Sequence, residues 1–290
     1  MTVGGALRPP RTNLAKWLGV VPFFVFSALF LIGPTVILAY RSLEDVDGGL
    51  SLENYAQLTT DTVMRSYGLS IRISLTTALI GGIFGFLLAW AVSMGGLPAA
   101  LRSVMTTFSG VASNFAGVPL AAAFIYTLGR IGLVTAAFEL LGIALYDTGF
   151  SLYSFWGLTL VYLYFQFPLM VLVILPSLDG LKRDWREAAE NLGATPRQYW
   201  RKVALPVLTP SILGTMILLF GNSFGAHATA YALTGGLFPL ATILIGLQIS
   251  GDVLHNPGLG YAVAMGMVII MAVSIAIYTV LQRRSERWLG

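Results

Sequence analysis

The side chains that carry most protein chemistry are scarce in this chain. It has no cysteine and only two histidines, His227 and His255, so thiolate metal sites, disulfides and thiol nucleophiles are excluded. Two isolated histidines form neither a metal-ligand cluster nor a nucleophile and base pair, which argues against a membrane protease or metallohydrolase. No GxxxxGK motif followed by Ser or Thr is present to cradle a nucleotide phosphate. Polar chemistry gathers instead between residues 177 and 206, where Glu187, Ala188, Ala189 and Gly193 are followed by Pro196, Arg197, Tyr199, Trp200, Arg201, Lys202, Leu205 and Pro206. Aromatic side chains with a basic rim suit docking on another protein or on anionic lipid.

Two helix starts are written into that stretch. Asp184 with Glu187 reads as a capping box, and Gly193 supplies the left-handed residue that ends the helix. Thr195 with Gln198 repeats the box, and Pro196 sits at a first helical position, where its missing N–H costs nothing. The expectation is two short helices meeting at an angle at Gly193.

The rest of the chain must position this loop, and its composition says how. Of 290 residues, 56% are hydrophobic and 10% charged, with mean hydropathy +0.79, whereas soluble domains carry about 25% charged residues. The apolar residues form six runs near 17–40, 69–94, 104–128, 153–176, 207–231 and 259–281, each close to the ~20 residues a helix needs to cross a bilayer. The fold class is therefore all-α, a polytopic membrane bundle of six transmembrane helices. The net charge of +4 does not indicate nucleic acid, because the basic residues are dispersed.

Lys and Arg near span ends are retained on the cytoplasmic side. Arg8, Arg11, Lys16, Arg102, Lys182, Arg183, Arg186, Arg197, Arg201, Lys202, Arg283, Arg284 and Arg287 fall on one side of a six-span topology, leaving Arg41, Arg65, Arg72 and Arg130 on the other. Both termini and the 177–206 loop are expected in the cytoplasm. Phe238 to Ile249 is too short to cross and is expected to lie along the outer surface, re-enter, or cap the bundle.

Within the spans, Gly81 with Gly85 and Gly221 with Gly225 stand four apart, a spacing that lets helices approach. Pro119 and Pro168 are expected to interrupt or kink their helices. Polar candidates for a pathway are Asn114, Gln166, Asn222, Ser223 and His227, the last placed in the fifth span. Each could equally serve as an interhelical hydrogen bond. No Asp or Glu falls inside the six runs, which disfavours an ion-coupled carrier.

The spacing Glu187-Ala188-Ala189, Gly193, then Val203-Ala204-Leu205-Pro206 resembles the EAA motif of the permeases of type I ATP-binding cassette importers, with Val203 in place of a usual Ile. The resemblance covers about residues 67–282, with 1–66 as an added anchor helix and outer loop and 283–290 as a cytoplasmic tail. It implies a non-enzymatic permease of a prokaryotic inner membrane. Its implied partners are a cytoplasmic ATPase dimer, a second permease that is a paralogue, and an external binding protein, with ATP and magnesium held by the ATPase and no cofactor on this chain. It also implies that Glu187, Ala188, Ala189, Gly193, Pro196, Tyr199, Trp200, Arg201, Leu205 and Pro206 couple the bundle to that ATPase. The wording around Asn114 to Leu120 and Ser223 to Gly225 looks like the branch handling polyamines, aminoethylphosphonate, ferric iron, thiamine or sulfate, and a polyamine or aminophosphonate is the expected substrate.

Overall fold

The computed structural model describes residues 19–45, 48–250 and 255–286, the last three without their side chains. Arg8, Arg11, Lys16, Arg287 and the Arg284 side chain, part of the expected basic flank, lie outside the described residues. In chain order the helices are α1 (Val21–Ser42), α2 (Asp61–Met94), α3 (Ala99–Asn114), α4 (Gly117–Leu128), α5 (Leu133–Leu140), α6 (Phe155–Asp179), α7 (Arg183–Asn191), α8 (Pro196–Phe224), α9 (His227–Thr234), α10 (Ala241–Ser250) and α11 (Pro257–Glu286), with shorter turns between them. No strand occurs among the described residues; Glu44 and Leu50 share a single bridge. Six helical segments are long and apolar enough to cross a membrane.

The core is built around α2 and α6. Small residues on α2 admit α6 closely: a Cβ on Gly81 would stand 2.8 Å from Gln166 Cβ, and one on Gly85 would stand 2.6 Å from Met170 Cβ. α8 packs against both helices, and Met170, Ile174, Leu208 and Leu219 are fully buried among them. By contrast α1 buries only Ser42, packs on α11, and leaves Phe23, Phe24, Phe30 and Ile37 exposed. In a bilayer that surface meets lipid at no cost.

Polar clasps mark the two ends of the bundle. At one end Asp179, the last residue of α6, accepts from Arg102 of α3 and, at 2.6 Å, from Ser93 of α2. At the other, Asn54 donates to the Ser42 and Glu44 carbonyls at 3.2 and 3.0 Å, and Asn256 donates to Gln57 at 3.3 Å. Arg102, Lys182, Arg183, Arg186, Arg197, Arg201, Lys202 and Arg283 belong to the Asp179 end, and Arg41, Arg65 and Arg130 to the opposite one.

Two expectations from hydropathy are corrected and a third is narrowed. The third run is not one helix, because α3 stops at Asn114 and α4 begins at Gly117. Asn114 turns its amide back onto the Gly110 carbonyl at 2.9 Å, Phe115 and Ala116 are extended, and Gly117 adopts φ +73°. Pro119 thus sits in the first turn of α4, where it breaks no hydrogen bond, whereas Pro168 stays inside a continuous α6. The fifth run is also divided: α8 ends at Phe224, and His227 opens a separate helix, α9, instead of lying in that span. The run from Phe238, expected to lie along the surface, re-enter or cap the bundle, folds from Ala241 as α10 packed on α11 and α2, with Ala241, Ile243 and Leu244 buried, so of these positions the surface one is not taken.

Candidate coupling and translocation site

The 177–206 stretch folds only partly as its residues suggest. α7 starts after Lys182, which makes no side-chain cap, so Asp184 lies within the first turn and Glu187 is a mid-helix residue. The Asp184 and Glu187 capping box does not form; an acidic residue in the first turn still opposes the helix dipole favourably. The helix ends as expected. Gly193 adopts φ +76°, its N–H donates to the Glu190 carbonyl at 2.9 Å, and the Ala194 N–H donates to the Ala189 carbonyl at 2.9 Å. This is the paired bonding of a Schellman end. The second box is complete, with Gln198 N–H donating to Thr195 Oγ1 at 3.3 Å and Thr195 N–H to Gln198 Oε1 at 2.7 Å.

After that cap the chain does not form a free second helix. Pro196 begins a helix that continues through a π-turn, Trp200–Ala204, into the spanning part of α8. The extra residue of the π-turn changes which side chains face the bundle. Tyr199 is 6% exposed and Trp200 half-buried, with the Trp200 ring edge-on to Trp90 of α2 at 5.8 Å. The expectation that these rings form an exposed docking face is corrected: they fasten the loop to the bundle. Arg197, Arg201 and Leu205 remain exposed, and Pro206 is half-buried.

What protrudes is α7. Glu187 and Ala188 are exposed, Ala189 is half-buried, and Glu187 makes no hydrogen bond among the described residues. Trp185 and Leu192, which the sequence reading did not single out, are 37% and 88% exposed; their signal was a pair of large apolar side chains seven apart, one in the first turn of α7 and one just past its end, in a stretch whose other residues are small or polar. Arg186 pairs with Glu190 at 2.9 Å, and Lys182 lies over the Trp185 ring.

The polar candidates inside the bundle separate into two groups. Gln166 is fully buried and donates to the Leu219 carbonyl at 2.8 Å, while Ser223 accepts from Thr77 at 2.9 Å. Both join helices and face away from open space. Asn114 is exposed at the end of α3. Asn222 and His227 line a cleft of about 410 Å³ together with Ser113, Gly117, Phe165 and Thr229. This cleft lies where the two interrupted helices meet: the Gly117 N–H donates to Thr229 Oγ1 at 2.7 Å, and the Tyr162 hydroxyl donates to the Ala226 carbonyl at 2.6 Å. His227 stacks on Tyr231 at 5.5 Å. Phe165 sits about 21 Å along α6 from Asp179 and about 15 Å from Phe155, at 1.5 Å per residue, so the cleft falls at membrane depth. Polar groups and open backbone there must face protein or water, because lipid cannot satisfy them.

Set against known proteins, residues 81–288 match the profile of the binding-protein-dependent transport system inner membrane components. The chain belongs to that family. It is a multi-pass inner-membrane permease component of an ABC importer. This permease is 26% identical over 255 residues to a probable sulfate transport system permease of Helicosporidium sp., covering 87% of this chain and 89% of that protein. It is 27% identical over 194 residues to the sulfate transport system permease of Salmonella typhimurium, covering 65% and 66%. The molybdenum transport system permease of Mycobacterium bovis is 25% identical over 274 residues, covering 92% and 94%. Among solved structures, a bacterial ABC transporter for import of the acidic polysaccharide alginate aligns with TM-score 0.72 at 15% identity over 94% of this permease and 96% of that chain. A second structure of the alginate transporter, in complex with its pentasaccharide-bound periplasmic protein, aligns with TM-score 0.71 at 15% identity over 94% and 95%. Likeness at that identity establishes the fold, and the fold agrees with the family.

Proposed function

We propose that this permease, paired with a second permease subunit, forms the pathway for a tetrahedral oxyanion such as sulfate or molybdate and is driven by a separate ATPase through α7. The observation that carries the coupling half is α7 itself. It is 9 residues long, shorter than the ~12–15 residues an isolated helix needs in water, and it shows Trp185, and the Leu192 that follows its last residue, to solvent. A helix of this kind is completed by a protein that grips it, and ATP and magnesium belong to that partner. The excess of Lys and Arg at the Asp179 end supports a cytoplasmic position for α7 under the positive-inside rule. An external binding protein, as the family description names, delivers the solute to the opposite face. A paralogous permease closes the open side of the cleft.

The substrate half departs from the sequence expectation of a polyamine or aminophosphonate. The relatives above are named for sulfate and molybdenum, and no described residue lining the cleft is a carboxylate, which a polycation would require along its route. Sulfate, an alternative of the sequence reading, takes the leading place. The test is uptake in cells lacking this permease: loss of both sulfate and molybdate accumulation, restored by the intact gene, is expected. Unchanged accumulation of both, with loss of a different solute, would overturn the substrate reading and leave the family intact.

A further inference from the structure

α3 is held firmly at its two ends and loosely between them. Of its 16 residues only Ser109 and Ala112 are buried. A groove of about 530 Å³ separates it from the α2 and α6 pair, lined by Leu101, Met105 and Phe108 of α3 and by Val92, Phe167 and Val171 opposite. Thr106, Ser113 and Asn114 make their hydrogen bonds within α3. Arg102 instead reaches across to α6, its guanidinium donating to Asp179. At the far end Phe115, just past the helix, sets its ring edge-on to Tyr164 of α6 at 6.0 Å. A left-handed glycine stands beyond each end, Gly96 at φ +64° and Gly117 at φ +73°, so α3 is a rod between two joints.

Asp179 stands where the 177–206 loop leaves the bundle. Ser93 donates to it at 2.6 Å, which fixes it to α2 as well as α6, and only Gly180, Leu181 and Lys182 separate it from α7. The Arg102 and Asp179 side chains are 38% and 41% exposed. An ion pair this exposed opens at little cost, since both charges regain water. The bonds from Gln166 to the Leu219 carbonyl and from Thr77 to Ser223, which tie α6 and α2 to α8, are buried, and their groups would find no new partner in lipid.

Resting on the coupling reading above, we propose that Arg102 and Asp179 form a latch. Closed, as here, it holds α3 against α2 and α6; displacement of α7 by the ATPase opens it and lets α3 swing about the Phe115 joint. α3 runs from the Asp179 end to the cleft, where Ser113 lines it, so the swing moves the wall between the cleft and that end. Arg102 and Asp179 act as positioning residues and touch no solute.

The test needs no knowledge of the solute. In the complete transporter, this permease with cysteine-free ATPase, second permease and binding protein, spin labels are placed on α3 by Ser103→Cys and on α6 by Val173→Cys, both exposed positions of a chain that has no cysteine of its own. With the latch residues intact, the distance between the labels should shift by about 5 Å, the size of a large helix displacement, between the nucleotide-free and the ATP-bound complex. Asp179→Asn should bring the nucleotide-free distribution toward the ATP-bound one, and the reversed pair, Arg102→Asp with Asp179→Arg, should restore the separation of the two states. A distance that is the same with and without ATP, or an Asp179→Asn complex that matches the intact latch in both states, would overturn the latch and leave the contact of α7 with the ATPase, read by cross-linking, in place. If cross-linking finds α7 untouched by the ATPase, the coupling reading fails first and the latch with it.

Discussion

Gly193 shows how a single residue sets the shape of the proposed coupling element. Its φ of +76° is the left-handed conformation, and a Cβ placed there meets nothing within 4 Å. Substitution therefore strains the backbone and leaves packing untouched, at about 1–2 kcal/mol. Gly193→Val is expected to leave membrane insertion intact while more than halving transport per ATP hydrolysed, and Gly193→Asn, which tolerates this conformation, should retain most of it. Equal coupling in the valine and asparagine variants would remove the angle at Gly193 from the mechanism. This residue was legible because a left-handed helix end has a strong residue preference. Tyr199 and Trp200 were not: composition identified an aromatic and basic segment, but the π-turn at Trp200–Ala204 decides which side chains face inward, and nothing in the residue types announces it. Asp184 misled for a related reason, since the helix begins one residue before it.

At the scale of elements, the close pairing of α2 with α6 is the best-determined part of the bundle. Gly81 and Gly85 were readable as a contact stripe, and both face α6 at distances that exclude any side chain. Gly85→Leu should destabilise the solubilised protein by about 1–3 kcal/mol through overpacking, visible as a lower melting temperature in detergent. Gly68→Ala on the same helix, where a Cβ meets nothing within 4 Å, should be neutral or slightly stabilising. Matching melting temperatures for these two variants would contradict the packing described for α2. The other glycine pair, Gly221 and Gly225, has the same spacing with a different outcome. Gly221 abuts Met271, while Gly225 follows the last residue of α8 and opens the cleft. A spacing of four is thus shared by a packing stripe and a helix end, and only the chain that follows distinguishes them. Arg102, Ser93 and Asp179 show the complementary limit, because this clasp joins three helices far apart in sequence.

For the whole molecule, hydropathy sufficed to count the spans because a bilayer requires length and apolarity, and both are additive along the chain. It is blind to interruption. The apolar run passes through Phe115, Ala116 and Gly117, and again through Gly225 and Ala226, without a polar break, yet both places end a helix and together they create the only cleft that holds Asn222 and His227 among those described. The α7 helix lies beyond the Asp179 end, so a partner holding it could act on α6 and α8 through the turns at Gly180 and Gly193. On the coupling proposed above, an ATPase grips this helix. Because the chain has no cysteine, Ala188→Cys provides a unique thiol on α7 for a photoactivatable cross-linker in the active complex. Adducts to the ATPase subunit, with a yield that changes when ATP is added, are expected. Adducts to lipid alone, or to no nucleotide-hydrolysing chain while transport continues, would contradict it.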